Sequence, residues 1–374
     1  MKIKKIVFIG LIENHQSMYN YILKLLCENF NEVLFLTSNK IRSDININNK
    51  NLNFKIDNEK RIDIVYINNM NLINSFESMI TDEYYGLFYR LKKVKFYNKN
   101  KYLIIHNVSK WTSYVRNPFL FFKNFLDQFY RKLFLNQFEN LITVAPNLFN
   151  ELKCKTHKKI FLIPFNFSEF DNNINYKKKD IIRIVIPGLV DSRRRNYIQL
   201  LKTIKIFYAK YPNSKIIFDF LGKINKQKEP KIFYEINLIN EKFNNKILFY
   251  TKFIEDKTFE NNIISSDFIL SNLKQNIYKQ GFKEKYGITK ESGVSYIIYK
   301  FTKPGIVPKW QKVFNDFENQ LVNFDSYSDL IQIFSSIEDD LYDLRLLHKN
   351  AIYNHKKFNN NLIKETNIFL NHLK

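Results

Sequence analysis

Short apolar runs of strand length alternate with segments of helical periodicity along most of the chain, and this alternation constrains the fold more than any other feature. Residues 5–9, 32–36, 102–106 and 141–144 read as buried strands with helical patterns between them, and the alternation resumes after residue 180. A helix between successive strands makes those strands parallel. The pattern therefore predicts an α/β protein with two doubly wound parallel sheets. Ligands of such sheets bind at the carboxyl ends of the strands, so the two domains should meet across a cleft.

A polar stretch separates the two series of strands. Residues 165–179 end in a basic run and form the predicted interdomain linker. The predicted domains are residues 1–170 and 180–345, followed by a C-terminal helix over residues 346–374 that packs back towards the first domain.

Three further predictions concern the secondary structure of single segments. Residues 62–67 are predicted as a strand, residues 46–60 as a polar loop, and residues 340–374 as two helices. Residues 117–136 carry aromatic and aliphatic side chains at helical spacing, with lysines among them.

Basic residues exceed acidic ones by a wide margin. The chain has 59 Lys and Arg against 36 Asp and Glu, a formal net charge of +23. Such an excess favours polyanionic partners: nucleic acid, an anionic membrane face or phosphorylated substrates. Biased codon usage also produces a chain rich in Lys, Asn and Ile, so the charge by itself leaves both explanations open.

The cysteines and the first residues bear on the compartment. Cys27 and Cys154 are the only cysteines and suggest neither a disulfide scaffold nor a zinc site. The apolar run that begins the chain is broken by Glu13 and reads as a first buried strand, not a signal peptide. No segment approaches the roughly 20 apolar residues of a membrane span. The expected location is the cytoplasm, either in solution or peripheral at the inner face of the cytoplasmic membrane.

The segment DIIRIVIPGLVDSRRRNY, residues 180–197, is typical of an anion-binding turn. A buried strand runs into Pro187 and Gly188, and the turn then delivers three consecutive arginines near the start of a helix. Glycine permits close backbone approach, and a helix start offers free N–H groups to an anion. Arginine forks suit phosphate oxygens, so this segment predicts a diphosphate site.

Three segments of the second half resemble GT-B glycosyltransferases of bacterial cell-surface polysaccharide synthesis, as a divergent relative of glycosyltransferase families 1 and 4. They are IPGLVDSRRRNY at 186–197, FLGK at 220–223, and YGITKESGV at 286–294 followed by KPGIVP at 303–308. The resemblance implies two Rossmann-like domains, with an acceptor bound by the first and a nucleotide sugar held mainly by the second.

The resemblance also implies roles for particular residues. Gly188, Arg194, Arg195 and Lys223 would bind the donor diphosphate, whose developing charge such cations stabilise. The donor sugar or nucleotide would be bound by Thr289, Lys290, Glu291, Ser292 and Gly293. GT-B enzymes need no tightly bound metal, so no metal and no cofactor are expected.

One departure from the family pattern affects the expected chemistry. The large retaining GT-B families carry two glutamates around the donor loop, and Thr289 and Ile297 stand at the corresponding places here. Glu291 is out of register with both. Nucleoside recognition and the stereochemical outcome are therefore left open.

The predicted catalytic residues lie in the first domain. His15 follows the first strand, and an imidazole is suited to deprotonating an acceptor hydroxyl near neutral pH. Glu13 could play the same role or orient the ring. His106 ends another strand on the same side and could touch the acceptor or the transferred sugar. Simple strand-end capping and surface exposure are the alternatives for these residues.

The predicted function is transfer of a sugar from a nucleotide-sugar donor to a glycan or lipid-linked acceptor in surface polysaccharide, capsule or lipopolysaccharide assembly. Aromatic and basic residues between 111 and 132 could rest on an anionic membrane, although their spacing equally suits core packing, which is favoured. The alternatives are a basic nucleic-acid-binding protein, for which no motif is present, and a GT-B-shaped sugar-nucleotide epimerase or non-catalytic assembly partner. No nucleic-acid partner is expected.

Overall fold

The structure is a computed structural model that describes residues 4–13, 15–84, 86–113, 118–164, 180–279 and 282–373. The predicted linker over residues 165–179 lies outside the described residues. None of the described helices is long and apolar enough to cross a membrane.

Seven parallel strands form the sheet of the N-terminal half, in the order β3-β2-β1-β4-β5-β6-β7. The strands are β1 (Lys5–Ile9), β2 (Glu32–Thr37), β3 (Leu52–Ile56), β4 (Ser78–Thr81), β5 (Asn100–Ile105), β6 (Asn140–Thr143) and β7 (Lys159–Leu162). β1 lies between β2 and β4, and its last four residues are buried. This near-continuous burial is expected of a parallel strand covered on both faces.

Helices cover this sheet. They are α1 (Gln16–Asn29), α2 (Asn39–Arg42), α3 (Ile62–Asn74), α4 (Val108–Thr112), α5 (Pro118–Asn136) and α6 (Pro146–Lys153), with a 3₁₀ helix over Phe88–Lys93. The buried residues of α1 recur at helical spacing and include Met18, Ile22 and Leu26, which form the face that packs on the sheet.

Two local predictions for this half are wrong. Residues 62–67 begin α3, in which Val65, Tyr66 and Ile73 are buried at helical spacing. A short apolar run cannot be assigned to strand or helix by periodicity alone, and here the helical register continues beyond it. Residues 46–60 contain β3, the strand at one edge of the sheet, where polar residues are tolerated because one side of the strand faces solvent.

Six parallel strands form the second sheet, in the order β10-β9-β8-β11-β14-β15. They are β8 (Ile182–Val185), β9 (Ile216–Lys223), β10 (Ile247–Tyr250), β11 (Phe268–Leu270), β14 (Gly305–Pro308) and β15 (Leu321–Phe324). Its helices are α7 (Tyr197–Lys210), α8 (Pro230–Lys242), α9 (Asp256–Ser265), α10 (Gly293–Lys300) and α11 (Tyr327–Glu338), with a 3₁₀ helix over Asn315–Gln320. An antiparallel hairpin of β12 (Asn276–Lys279) and β13 (Phe282–Lys285) projects from it.

The chain ends in one long helix, α12 (Leu344–Leu373), where two helices were predicted. α12 returns to the first sheet: Nδ1 of His372 lies 2.9 Å from the hydroxyl of Tyr102, and the ring of Phe369 packs against Tyr102 and Phe161. Asn354 and His355 are buried midway along it through contacts with the second half, so no break occurs there.

Each sheet reverses its strand order once, between β1 and β4 in the first and between β8 and β11 in the second. Such switch points open a crevice beyond the carboxyl ends of the strands, because the connections there leave in opposite directions. The chain segments that follow these four strands are therefore where a ligand site is expected.

Candidate active site

A cleft of about 680 Å³ lies where the segments following both switch points meet. The first half contributes His15, Ser17, His106, Val144 and Leu148 to its lining. The second half contributes, among others, Arg194, Arg195, Tyr286, Lys290, Glu291, Ser292, Gly293 and Tyr296. The structure thus brings together, in one cleft, predicted site residues from both domains.

Asp82 organises the first-domain side of the cleft. It directly follows β4, whereas His15 lies between β1 and α1 and His106 directly follows β5. Oδ2 of Asp82 lies 2.6 Å from Nδ1 of His15, and Oδ1 lies 2.9 Å from Nε2 of His106. The hydroxyl of Tyr19 donates to Oδ2 at 2.6 Å. Because β1, β4 and β5 are adjacent, their carboxyl ends bring these residues together.

The protonation of this group follows from its surroundings. Burial alone would raise the pKa of Asp82, but the two imidazoles lower it well below its usual range, so the carboxylate stays ionised. Burial alone would lower the pKa of His15, but the Asp82 carboxylate raises it above its ordinary value. With Nδ1 donating to Asp82, Nε2 of a neutral His15 is left to accept a proton.

A second carboxylate, that of Glu83, holds the segment that follows β5 in place beside Asp82. Glu83 is buried and accepts hydrogen bonds from the His106 backbone N–H at 3.2 Å and from Trp111 Nε1 at 2.9 Å, and also from the Asn107 side chain. The Lys290 ammonium of the second half donates to Oδ1 of Asn107. Lys290 is thereby held at the boundary of the two halves, beside the histidines.

The described residues include one group of side chains that could hold a metal ion, formed by His15, Asp82 and His106, whose ligand atoms lie within 4.8 Å of one another. Each histidine nitrogen lies against a different oxygen of Asp82 at hydrogen-bond distance. A shared metal would have to displace both hydrogen bonds, so the geometry fits a hydrogen-bonded triad better than a metal site.

The turn that carries Arg193, Arg194 and Arg195 lies on the second-domain side of the cleft, facing the histidines of the first domain. Its backbone pairs with the segment after β11: Asn196 N–H donates to Asn272 O at 3.0 Å, and Lys274 N–H donates to Arg194 O at 2.9 Å. Arg194 and Arg195 line the cleft. Nη1 of Arg195 is buried and has no hydrogen-bond partner among the described residues, which leaves a donor available to an anion.

Arg193 differs from its two neighbours. Its Nε and Nη2 donate to the two oxygens of Asp191 at 2.9 and 2.8 Å, and its side chain is 87% exposed. Of the three consecutive arginines, Arg193 therefore points to solvent.

The glycines of this region serve close backbone contacts. Gly188 has φ +99°, and a Cβ at this position would lie 2.7 Å from Nη2 of Arg195. A Cβ on Gly222 would lie 2.1 Å from the carbonyl oxygen of Gly188. Lys223, predicted to bind the diphosphate, is exposed and is not among the residues that line the cleft; its carbonyl accepts from Val190 N–H at 3.4 Å.

The donor loop predicted at 286–294 leads into α10 and contributes Tyr286 and residues 290–293 to the lining of the cleft. Ser292 is the N-cap of α10 and its hydroxyl accepts from Val294 N–H at 3.1 Å. Burial raises the pKa of Glu291 to about 7, so this carboxyl exchanges its proton near neutral pH. Thr289 does not line the cleft: its hydroxyl donates to Glu284 at 2.6 Å.

The same loop joins the two halves. Thr289 O accepts from the backbone N–H of Val108, the first residue of α4, at 2.8 Å. Asn147 Nδ2, on α6, lies 2.9 Å from Glu291 Oε2 and 3.2 Å from Gly287 O. Thr289 and Glu291 therefore act in the interface that positions the loop, and Glu291 also lines the cleft.

Glu13 does not join the histidines. It is exposed, forms an ion pair with Lys40 at 2.5 Å and is not among the cleft-lining residues. Sequence reasoning missed Asp82 and Glu83, although the acidic pair directly follows the short segment SMIT at residues 78–81. The strand wrongly predicted at 62–67 concealed this strand end.

No protein-family model matches the chain, and no curated protein is similar to it in sequence. Solved structures do match over nearly its full length. Trehalose-6-phosphate synthase OtsA has a TM-score of 0.64 at 11% identity, over 99% of this chain and 98% of that one. A glycosyltransferase from Rickettsia africae has a TM-score of 0.63 at 15% identity, over 100% and 99%. A putative UDP-N-acetylglucosamine 2-epimerase from Listeria monocytogenes has a TM-score of 0.57 at 11% identity, over 94% and 91%.

These similarities, together with the two parallel sheets, show that the chain has the GT-B fold. The predicted fold class is confirmed. At 8–15% identity the similarity is one of fold, so the activity has to be argued from the site.

Proposed function

We propose that this protein is a glycosyltransferase that moves a sugar from a nucleotide-sugar donor to a hydroxyl of an acceptor held by the first domain. One observation carries the proposal: a histidine oriented by a buried, ionised carboxylate lines the same cleft as the unpaired guanidinium donor of Arg195. The first group suits activation of a hydroxyl, and the second suits a diphosphate leaving group.

The proposed reaction assigns one role to each side of the cleft. Nε2 of His15 takes the proton of the acceptor hydroxyl as its oxygen bonds to the anomeric carbon, while Asp82 stabilises the imidazolium that forms. The bond from the anomeric carbon to the diphosphate oxygen breaks, and its electron pair leaves with the nucleoside diphosphate. Arg194, Arg195 and Lys290 oppose the charge that develops there. These cations would act without a bound metal, so we expect activity to persist in a chelator.

The neighbours support this activity above the alternatives. Two are alpha,alpha-trehalose-phosphate synthases described as UDP-forming, and one of these is in complex with glucose-6-phosphate. We propose a nucleoside-diphosphate sugar as donor and a glycan or lipid-linked acceptor, in the assembly of a surface polysaccharide. A putative UDP-N-acetylglucosamine 2-epimerase is also among the neighbours, so sugar-nucleotide epimerisation is the second candidate.

Two measurements test the proposal. A thermal-shift panel of nucleoside diphosphates and their sugars identifies the donor, because a ligand at a hundred times its Kd stabilises by about 2.7 kcal/mol. The isotope-labelled donor is then incubated with and without candidate acceptors. A transferase releases nucleoside diphosphate in step with labelled acceptor, whereas an epimerase returns a sugar nucleotide of altered configuration without any acceptor. Binding of no sugar nucleotide would contradict both candidates.

A further inference from the structure

The polarity of α5 is inverted in its described second half. Leu126, Phe129 and Leu133 follow the i, i+3, i+7 spacing of one helical face and are 61%, 50% and 46% exposed. Gln128 and Arg131, on the other side, are only 6% and 5% exposed. A helix that packs on a domain core normally turns its apolar side inward, so the core packing favoured for residues 111–132 is wrong for Leu126 and Phe129.

Specific contacts hold α5 in this rotation. Phe134 is buried and its ring stacks on that of Trp111, with centroids 6.3 Å apart. Arg131 Nη2 donates to the carbonyl of Ser113 at 2.9 Å, and the Arg131 guanidinium lies 4.6 Å from the ring centroid of Phe282 in the second half. Turning the apolar stripe inward would break all of these contacts, so its exposure is a property of the packed fold.

The neighbouring 3₁₀ helix extends the stripe. The Asp127 carboxylate lies against the backbone N–H groups of Phe88 and Tyr89, which fixes the start of this helix beside α5. Leu87 and Tyr89 are 44% and 42% exposed there. We give the name α5 face to Leu126, Phe129 and Leu133 together with Leu87 and Tyr89, exposed apolar residues of α5 and of the 3₁₀ helix that packs on it.

Basic residues accompany the α5 face. Arg90, Lys92 and Lys93 lie in the 3₁₀ helix, and Lys132 is exposed on α5. The guanidinium of Arg90 is 5.9 Å from the ring centroid of Tyr89. Residues 86–99 contain no acidic residue. The one carboxylate of the described part of α5, that of Asp127, is turned towards the 3₁₀ helix.

We propose that the α5 face docks on an anionic lipid bilayer, with its apolar side chains among the upper acyl chains and the surrounding cations at the headgroups. Exposed Leu and Phe beside Lys and Arg is the composition of an interfacial helix, and each basic residue near an anionic leaflet strengthens binding. A protein partner would bury apolar residues equally well, but the cationic segment over residues 86–99, which has no acidic residue, complements a negatively charged surface. Bilayer docking does not depend on the proposed sugar transfer.

The α5 face belongs to the first half of the molecule, to which the proposed function assigns the acceptor. Trp111, which packs against α5, donates to Glu83, next to Asp82 in the chain. An acceptor carried in the membrane would therefore approach the half that bears His15.

Vesicle co-sedimentation of the full chain tests the proposal without any donor or acceptor. We expect binding to vesicles of three parts phosphatidylcholine and one part phosphatidylglycerol, weakened by salt, and little binding to phosphatidylcholine alone. The triple variant Leu126→Ser, Phe129→Ser, Leu133→Ser should lose at least about tenfold in partition coefficient, because three apolar anchors are removed. The matched control is Ile206→Ser with Tyr234→Ser, which alters side chains of similar exposure, 55% and 60%, on α7 and α8 and should bind as wild type.

Charge reversal separates the electrostatic part. Lys92→Glu with Lys93→Glu should lower binding to anionic vesicles about tenfold or more, while Lys202→Glu with Lys205→Glu, exposed on α7, should change it far less. Circular dichroism and Tm of each variant establish that it is folded. Equal sedimentation of wild type and the triple variant would overturn the proposal. So would a wild-type dimer in ultracentrifugation that the triple variant converts to monomer without any vesicle binding.

Discussion

Nδ1 of His15 and Oδ2 of Asp82 lie 2.6 Å apart, although 67 positions separate the residues in the chain. The contact sets the tautomer of the imidazole, because the nitrogen next to the carboxylate carries the proton. It also raises the pKa of His15 above its ordinary value, since the carboxylate outweighs the effect of burial. The site therefore holds a base whose strength depends on a second residue.

His15→Ala should lower kcat by about 10²- to 10⁴-fold, the usual contribution of a general base, with little change in nucleotide affinity. Asp82→Asn should also lower kcat and should move the acidic limb of the pH profile to lower pH. The base works when neutral, so activity rises with pH through the pKa of His15, and loss of the carboxylate lowers that pKa. Steady-state kinetics from pH 5 to 9 and calorimetric titration with nucleotide give both readouts.

His157→Ala is the control for this pair, since His157 is exposed and lies outside the cleft. An Asp82→Asn enzyme with unchanged kcat and an unmoved acidic limb would show that Asp82 does not tune the base.

Arg195→Ala should raise the Kd for the nucleoside diphosphate by about 10- to 100-fold, because a charge-assisted hydrogen bond to phosphate is lost. The matched control is Arg193→Ala, two positions earlier, whose side chain is 87% exposed and paired with Asp191. Isothermal titration at two salt concentrations measures both variants. Similar losses for the two arginines would mean that only overall charge matters, contrary to a specific contact by Arg195.

Gly222→Ala should destabilise the fold by about 1–3 kcal/mol, because the new Cβ would lie 2.1 Å from the carbonyl oxygen of Gly188 and the backbone has to move. Gly293→Ala, at the first residue of α10, meets nothing within 4 Å and should raise stability by about 0.4–1 kcal/mol. Urea unfolding without ligand compares them. A Gly222→Ala protein as stable as wild type would show that the turn at Gly188 moves away from β9 at little cost.

Asp219→Asn should stabilise the protein at pH 7.5 but not at pH 4. Asp219 is fully buried, and burial, partly offset by Arg183, raises its pKa from 3.8 to about 6. The folded state then keeps a proton that the unfolded chain releases between these values, so wild-type stability is highest below about pH 4 and falls as the pH rises through 6. Asparagine removes this loss, which amounts to about 3 kcal/mol at most.

Chemical denaturation of both proteins at the two pH values measures the difference. The same stability change at pH 4 and pH 7.5 would mean that Asp219 does not titrate in this range.

Local patterns were sufficient to predict the fold class. Buried parallel strands such as Ile182–Val185 are short, apolar and followed by helices, and connectivity then allows few arrangements. The same logic located His15, His106, Arg194 and Arg195, because the carboxyl ends of strands in such sheets lie at the cleft. It failed at residues 62–67, where an apolar run fits helix and strand equally, and this error hid the strand that leads to Asp82.

The sequence by itself determined which residue types stand at the strand ends, because strand periodicity and chain connectivity act over short distances. Only the tertiary structure decided how those residues pair. In the structure Asp82 contacts both His15 and His106, and Arg193 forms an ion pair with Asp191. Arg195 keeps a donor for a ligand in the cleft, whereas Glu13 and Lys223 do not line the cleft. Such pairings depend on strand order, helix rotation and the approach of two domains, which bring together atoms distant in the chain.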